Sequence, residues 1–146
     1  SLAILQDDEV GKILQVEASI SEGLLKAADE LPVDGVLIVN QQEREYFLTW
    51  YHLMLFQRFA DLLTKPLLVS IPSKVTANEL QVLWEAGVDG VVVEVGVGQP
   101  VERLKGLRQA IDELAFPLPR RRGKTEALLP YIGGERSVVT EEEEEE

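Results

Sequence analysis

The chain has 146 residues, 45% of them hydrophobic, no cysteine, and a formal charge of −12. That is the size of one ordinary domain with enough apolar material for a core, which excludes a disordered chain. The missing cysteine excludes disulfides, thiolate chemistry and zinc–thiolate sites, and the acidic balance argues against nucleic acid or an anionic membrane as partner, because phosphate contacts need clustered Lys and Arg.

Strand and helix patterns alternate along the chain. A strand is expected over residues 12–17 and a helix over 22–31. A second strand, "DGVLIV", covers 34–39, and a long helix follows over 48–63. The third strand is "PLLVSI" at 66–71, with a helix over 77–85. The fourth is "DGVVVEV" at 89–95, with a helix over 100–114. Unbroken Val, Leu and Ile runs mark strands of a parallel sheet under helices. "TANE" at 76–79 has the spacing of a capping box, and Pro100 suits a first helical turn.

The chain also repeats itself. Residues 11–39 lie over residues 66–94 without a gap at an offset of 55, so that Leu25 meets Leu80 and "VDGV" at 33–36 meets "VDGV" at 88–91. Each copy reads strand–helix–strand followed by a further helix, which predicts two similar quarters. The domain is expected to span 1–116, where 18 acidic residues face 9 basic ones. The remainder, 117–146, is a tail with three prolines, the basic run "RRRGK" at 120–124 and six terminal glutamates. Such a tail is expected to be largely disordered after about residue 135, because like charges repel and have nothing to bury.

The segment "LWEAGVDGVVVEVGVGQPVERLKGLRQAIDEL" at 83–114 resembles the closing part of a triosephosphate-isomerase-type (β/α)8 barrel of the phosphate-binding kind, such as tryptophan synthase α subunits and their relatives. The resemblance covers about residues 78–114. It implies a late barrel strand, a glycine turn, and a helix whose start cradles phosphate. A whole barrel takes about 250 residues, so four strand–helix units make a half-barrel, (βα)4, most naturally the C-terminal half of a longer barrel protein. The alternative is a flavodoxin-like open sheet, with five strands in a different order. A phosphoacceptor receiver would need an acidic pair after its first strand and a late Lys. A cobalamin domain would need its own His motif, and the one histidine here is His52, inside a helix.

Alternation along strands sorts the polar residues. Ile13, Gln15 and Glu17 share a face, which the repeat maps onto Leu68, Ser70 and Pro72. Gly90, Val92 and Glu94 share the face that maps onto Gly35, Leu37 and Val39. In a barrel that face is the interior, with the active site at the strands' C-terminal ends. Glu17 and Glu94 are therefore the candidate catalytic pair, as general acid and base or as holders of a divalent cation. Gln15, Asn40 and Ser70 are candidate ligand-binding residues. Gly96 and Gly98, in "GVGQP", could turn backbone N–H groups towards a small anionic ligand. No metal set and no required cofactor can be read from the chain.

The helix over 48–63 carries ten large apolar residues on more than one face, beyond the stripe of a surface helix. A half-barrel also leaves two strand edges and one sheet face open. Together these predict a homodimer, with Phe56 and Phe59 as helix contacts. The functional expectation is a self-associating α/β domain. Its alternative is half of a barrel enzyme acting on a small phosphorylated metabolite. No apolar run reaches the roughly 20 residues of a membrane span, the opening residues do not read as a signal peptide, and a cytoplasmic location is expected.

Overall fold

The computed structural model describes residues 2–40, 47–98 and 100–114. After a short 3-10 helix at Leu2–Gln6, strands and helices alternate: β1 (Ile13–Glu17), α1 (Glu22–Asp29), β2 (Gly35–Val39), α2 (Trp50–Leu62), β3 (Leu67–Ile71), α3 (Ala77–Ala86), β4 (Gly90–Val93) and α4 (Val101–Asp112). All eight expected elements are present, each within two residues of its expected limits. The tail expected at 117–146 lies outside the described residues.

The four strands form one parallel sheet in the order β1-β2-β3-β4. One core unites Val16 of β1, Val36 and Ile38 of β2, Leu67, Val69 and Ile71 of β3, and Val91 and Val93 of β4 with Leu25, Phe56, Phe59, Leu80, Leu83 and Leu107 from the four helices. Those strand residues all lie on one face by alternation, so among the described residues the helices cover that face alone. A flavodoxin-like sheet would place β1 inside the order and helices on both faces. Sequential order with one-sided helices is the arrangement a (βα)4 half-barrel requires.

The repeat is physical. Within each quarter the strand register is identical at the offset of 55: Ile13 faces Gly35 as Leu68 faces Gly90, and Gln15 faces Leu37 as Ser70 faces Val92. Ser21 and Thr76 cap α1 and α3, accepting from Leu24 N–H and Glu79 N–H. The shared Asp of "VDGV" does the same work twice. Asp34 Oδ2 accepts Lys12 N–H at 2.7 Å, and its own N–H donates to Lys12 O at 2.7 Å. Asp89 Oδ2 accepts Leu67 N–H at 2.8 Å, and its N–H donates to Leu67 O at 2.8 Å. Each Asp thus closes off the head of the strand before it, where no ladder partner remains.

The quarters differ where their helices stop. Pro32 and Gly87 are equivalent at that offset. Proline disfavours a helical residue before it, and α1 ends at Asp29. Gly87 adopts φ 107°, and its N–H reaches Leu83 O and Trp84 O. Only glycine takes that left-handed cap without strain, so α3 runs on to Ala86.

Replacing Asp89 by alanine strands the N–H of Leu67, a residue with no exposed surface. The expected loss is about 1–3 kcal/mol, read as a lower urea midpoint. Asp34→Ala is expected to lose less, because water can reach Lys12 N–H.

Candidate functional site

The C-terminal ends of β1 and β2 open into a cleft of about 240 Å³ lined by Glu17, Ala18, Ser19, Val39, Asn40, Tyr51, His52 and Leu55. It brings together two of the expected site residues, Glu17 and Asn40. Glu17 is the last residue of β1, and Asn40 directly follows β2. The far wall is the first two turns of α2. The cleft therefore sits at the end of the sheet where α/β proteins bind ligands.

His52, Ser19 and Tyr51 are cleft residues that sequence reasoning missed. His52 is tied into the start of α2. Thr49 N–H donates to its Nδ1 at 3.2 Å, Thr49 Oγ1 lies 2.9 Å from the same atom, and His52 N–H donates to Thr49 Oγ1 at 3.4 Å. This is a capping box with histidine in the place usually held by Glu or Gln. While Nδ1 accepts, the ring proton resides on Nε2. The signal was present as "TWYH" at 49–52, which has the spacing of "TANE" at 76–79.

The flank of the cleft is braced by an ion pair between helices. Arg58 of α2 donates from Nε and Nη2 to the two carboxylate oxygens of Glu22 of α1, both at 2.8 Å. That hydrogen bonding holds Glu22 below the ordinary glutamate range and raises Arg58. The pair contributes fully at neutral pH, and its contribution is lost as pH falls through the lowered Glu22 value. Both side chains are more than half exposed, so it orients the helices more than it stabilises them. Asp29 continues the same seam by accepting Thr64 N–H at 3.1 Å and Thr64 Oγ1–H at 3.0 Å.

The other expected residues do not join this cleft. Gln15 is exposed on the uncovered face, and Ser70 is half-buried on that face opposite Val92. Glu94 lies one residue beyond β4, exposed. Glu17 and Glu94 therefore stand at the two opposite edges of the sheet. Three strand steps of roughly 4.8 Å, and two residues along the strands, separate them, and β2 and β3 lie between them. Among the described residues, no three His, Asp or Glu side chains gather as a metal set.

The glycine turn before α4 is open. Gly98 has φ 89°, and nothing lies within 4 Å of the position a side chain would take at Gly96 or Gly98. Pro100 gives α4 no side-chain cap, and Glu102 occupies its first turn. Glu94 and Glu102 flank the turn, a setting that opposes an anion at this helix start.

The α2 expectation requires correction in its residues. Phe56 and Phe59 are core, at 3% and 2% exposure. The apolar surface of this helix is instead Trp50, Tyr51 and Met54, continued by Phe47 before it, and these are 67–84% exposed. Leu53, Leu55 and Leu62 are packed against the core.

No family model, curated protein or solved structure matches the chain. Among the described residues, no helix is long and apolar enough to cross a membrane.

Proposed function

We propose that the chain is a self-associating (βα)4 module, whose uncovered sheet face and strand edges are made to be covered by another unit of the same architecture. One observation carries this reading: positions that are equivalent by the repeat are buried in the middle of the sheet and open at its edges. Val36 and Ile38 of β2 are 0% and 2% exposed, whereas their counterparts in β4, Val91 and Val93, are only half-buried. Val69 and Ile71 of β3 are 0% and 3% exposed, whereas their counterparts in β1, Leu14 and Val16, are again half-buried. The sequence supplies core residues at both edges, and among the described residues each lacks one neighbouring strand and helix.

The uncovered face supports the same reading. Ile13 is 57% and Val92 39% exposed, with Leu37, Val39 and Leu68 half-buried between them. Covering apolar surface is worth about 25 cal/mol per Å², and open parallel edges invite pairing. In a longer polypeptide a second (βα)4 segment would serve. For this chain in solution, a second copy serves. Light scattering at micromolar concentration is expected to give about twice the chain mass of 16.3 kDa, and a monomer that persists at high concentration would refute self-association.

A second reading attaches to the cleft of Glu17, Ser19, Asn40, Tyr51 and His52, which suits a small polar ligand with hydroxyl or amide groups. Half of an enzyme acting on a phosphorylated metabolite is less well supported, because Glu17 lines the cleft and Glu94 and Glu102 flank the glycine turn. A ligand at one hundred times its Kd should add about 2.7 kcal/mol to stability. Thermal melts against sugars, polyols and sugar phosphates test this. The stabilisation should vanish in Glu17→Ala and Asn40→Ala, and its survival in both variants would place the ligand elsewhere.

A further inference from the structure

Two copies, we infer, close into one eight-stranded barrel in a defined register, with β4 of each copy beside β1 of the other, so that Glu94 joins Gln15 and Glu17 of the opposite copy. This rests on the self-association proposed above and specifies which surfaces meet.

The register follows from the junction that already exists between the two quarters. There β2 lies beside β3, with Val36 opposite Leu67, Leu37 opposite Leu68 and Ile38 opposite Val69. Advancing β2 by 55 residues gives β4, and setting β3 back by 55 residues gives β1. The same junction between two chains therefore puts Val91 opposite Lys12, Val92 opposite Ile13 and Val93 opposite Leu14 of the second copy. It continues the interface the fold already uses. Both junctions form together about a two-fold axis, the commonest symmetry of assemblies, and no edge is left.

The side chains fit this junction. Val92 and Ile13 are the apolar inner-face residues of the two edge strands, and the derived register sets them side by side, where each would cover the other. A helix counterpart exists as well. Glu22 faces α2, and Leu24, roughly 200° round α1 from it, is 64% exposed. Leu31 is 41% exposed, whereas its counterpart Ala86 in α3, which has α2 before it, is 8% exposed. Leu24 of α1 and Leu31 just beyond its end thus mark the side where, among the described residues, no α-helix lies before α1, and α4 of the second copy would lie there.

Closure has a consequence for the site. Within one chain Glu17 and Glu94 stand at opposite edges. Continued by one residue, the derived register brings Glu94 opposite Gln15 of the second copy, two positions from its Glu17. These three expected site residues then meet at the mouth of the barrel, and only in the dimer.

The chain has no cysteine, so paired cysteines test the register directly. Ile13→Cys with Val92→Cys is the in-register pair, and both positions are exposed enough to accept the change. Gln15→Cys with Val92→Cys is the control: two residues along a strand add about 6.6 Å, which takes the pair out of disulfide range. Mild oxidation of the full chain is followed by non-reducing electrophoresis, with light scattering on the reduced proteins. The expected result is covalent dimer from the in-register pair at about tenfold the yield of the control. A scattering dimer that gives no in-register cross-link overturns closure and leaves self-association standing. Met54→Cys, cross-linking to itself, would then assign the contact to α2. Monomeric scattering from every variant overturns both. A disulfide within one chain from Ile13→Cys and Val92→Cys overturns closure too, because the two edges would then meet each other.

Discussion

The handedness of the strand–helix–strand crossover governs this structure. Such crossovers are right-handed in nearly all proteins, so the face on which a helix lands is decided by the direction in which the chain steps across the sheet. Here every step goes the same way, from β1 to β2 to β3 to β4. The three crossover helices, α1, α2 and α3, must then fall on one face, and α4 packs on the same face through Leu107, Ala110 and Ile111. A chain that reverses direction once, as in doubly wound folds, covers both faces and is finished. Among the described residues the chain never reverses, and so they bury one face and leave the other bare.

That constraint explains the uneven burial. The covered face is as dry as any domain core, with Leu25, Val36, Leu67 and Val69 entirely buried. The bare face carries Ile13, Leu37, Val39, Leu68 and Val92 beside only three polar residues, Gln15, Glu17 and Ser70. A sheet face meant for water would carry polar residues at most of these positions. The duplicated Asp34 and Asp89 bonds add a second consequence. Each fixes one strand pair as a unit, and two such units joined at β2 and β3 use a junction that can be repeated at β4 and β1.

Much of this was legible in the sequence, and the exceptions have physical causes. The strands declared themselves through unbroken Val and Leu runs, and the offset of 55 residues predicted two similar quarters, whose strand pairs share one register in the structure. Leu2–Gln6 escaped notice because a 3-10 turn buries nothing and so leaves no periodic pattern. The inward face of α2 was misassigned at Phe56 and Phe59 because ten apolar residues blur the helical period; only packing separates Phe56 from Met54. The cleft was half visible. Glu17 and Asn40 follow from strand ends, whereas His52 reaches the cleft because the first turns of α2 lie beside the ends of β1 and β2, and alternation on strands cannot report that. Glu17 and Glu94 share a face in the sequence pattern, but face alone says nothing of how many strands lie between.

The central claim is that β1 and β4 are interior strands awaiting neighbours. Amide hydrogen exchange, followed across a range of protein concentrations, tests it most directly. The account predicts that protection at β1 and β4 rises together with concentration, while β2 and β3 stay protected throughout. Exchange at both edge strands that is fast and indifferent to concentration would contradict it.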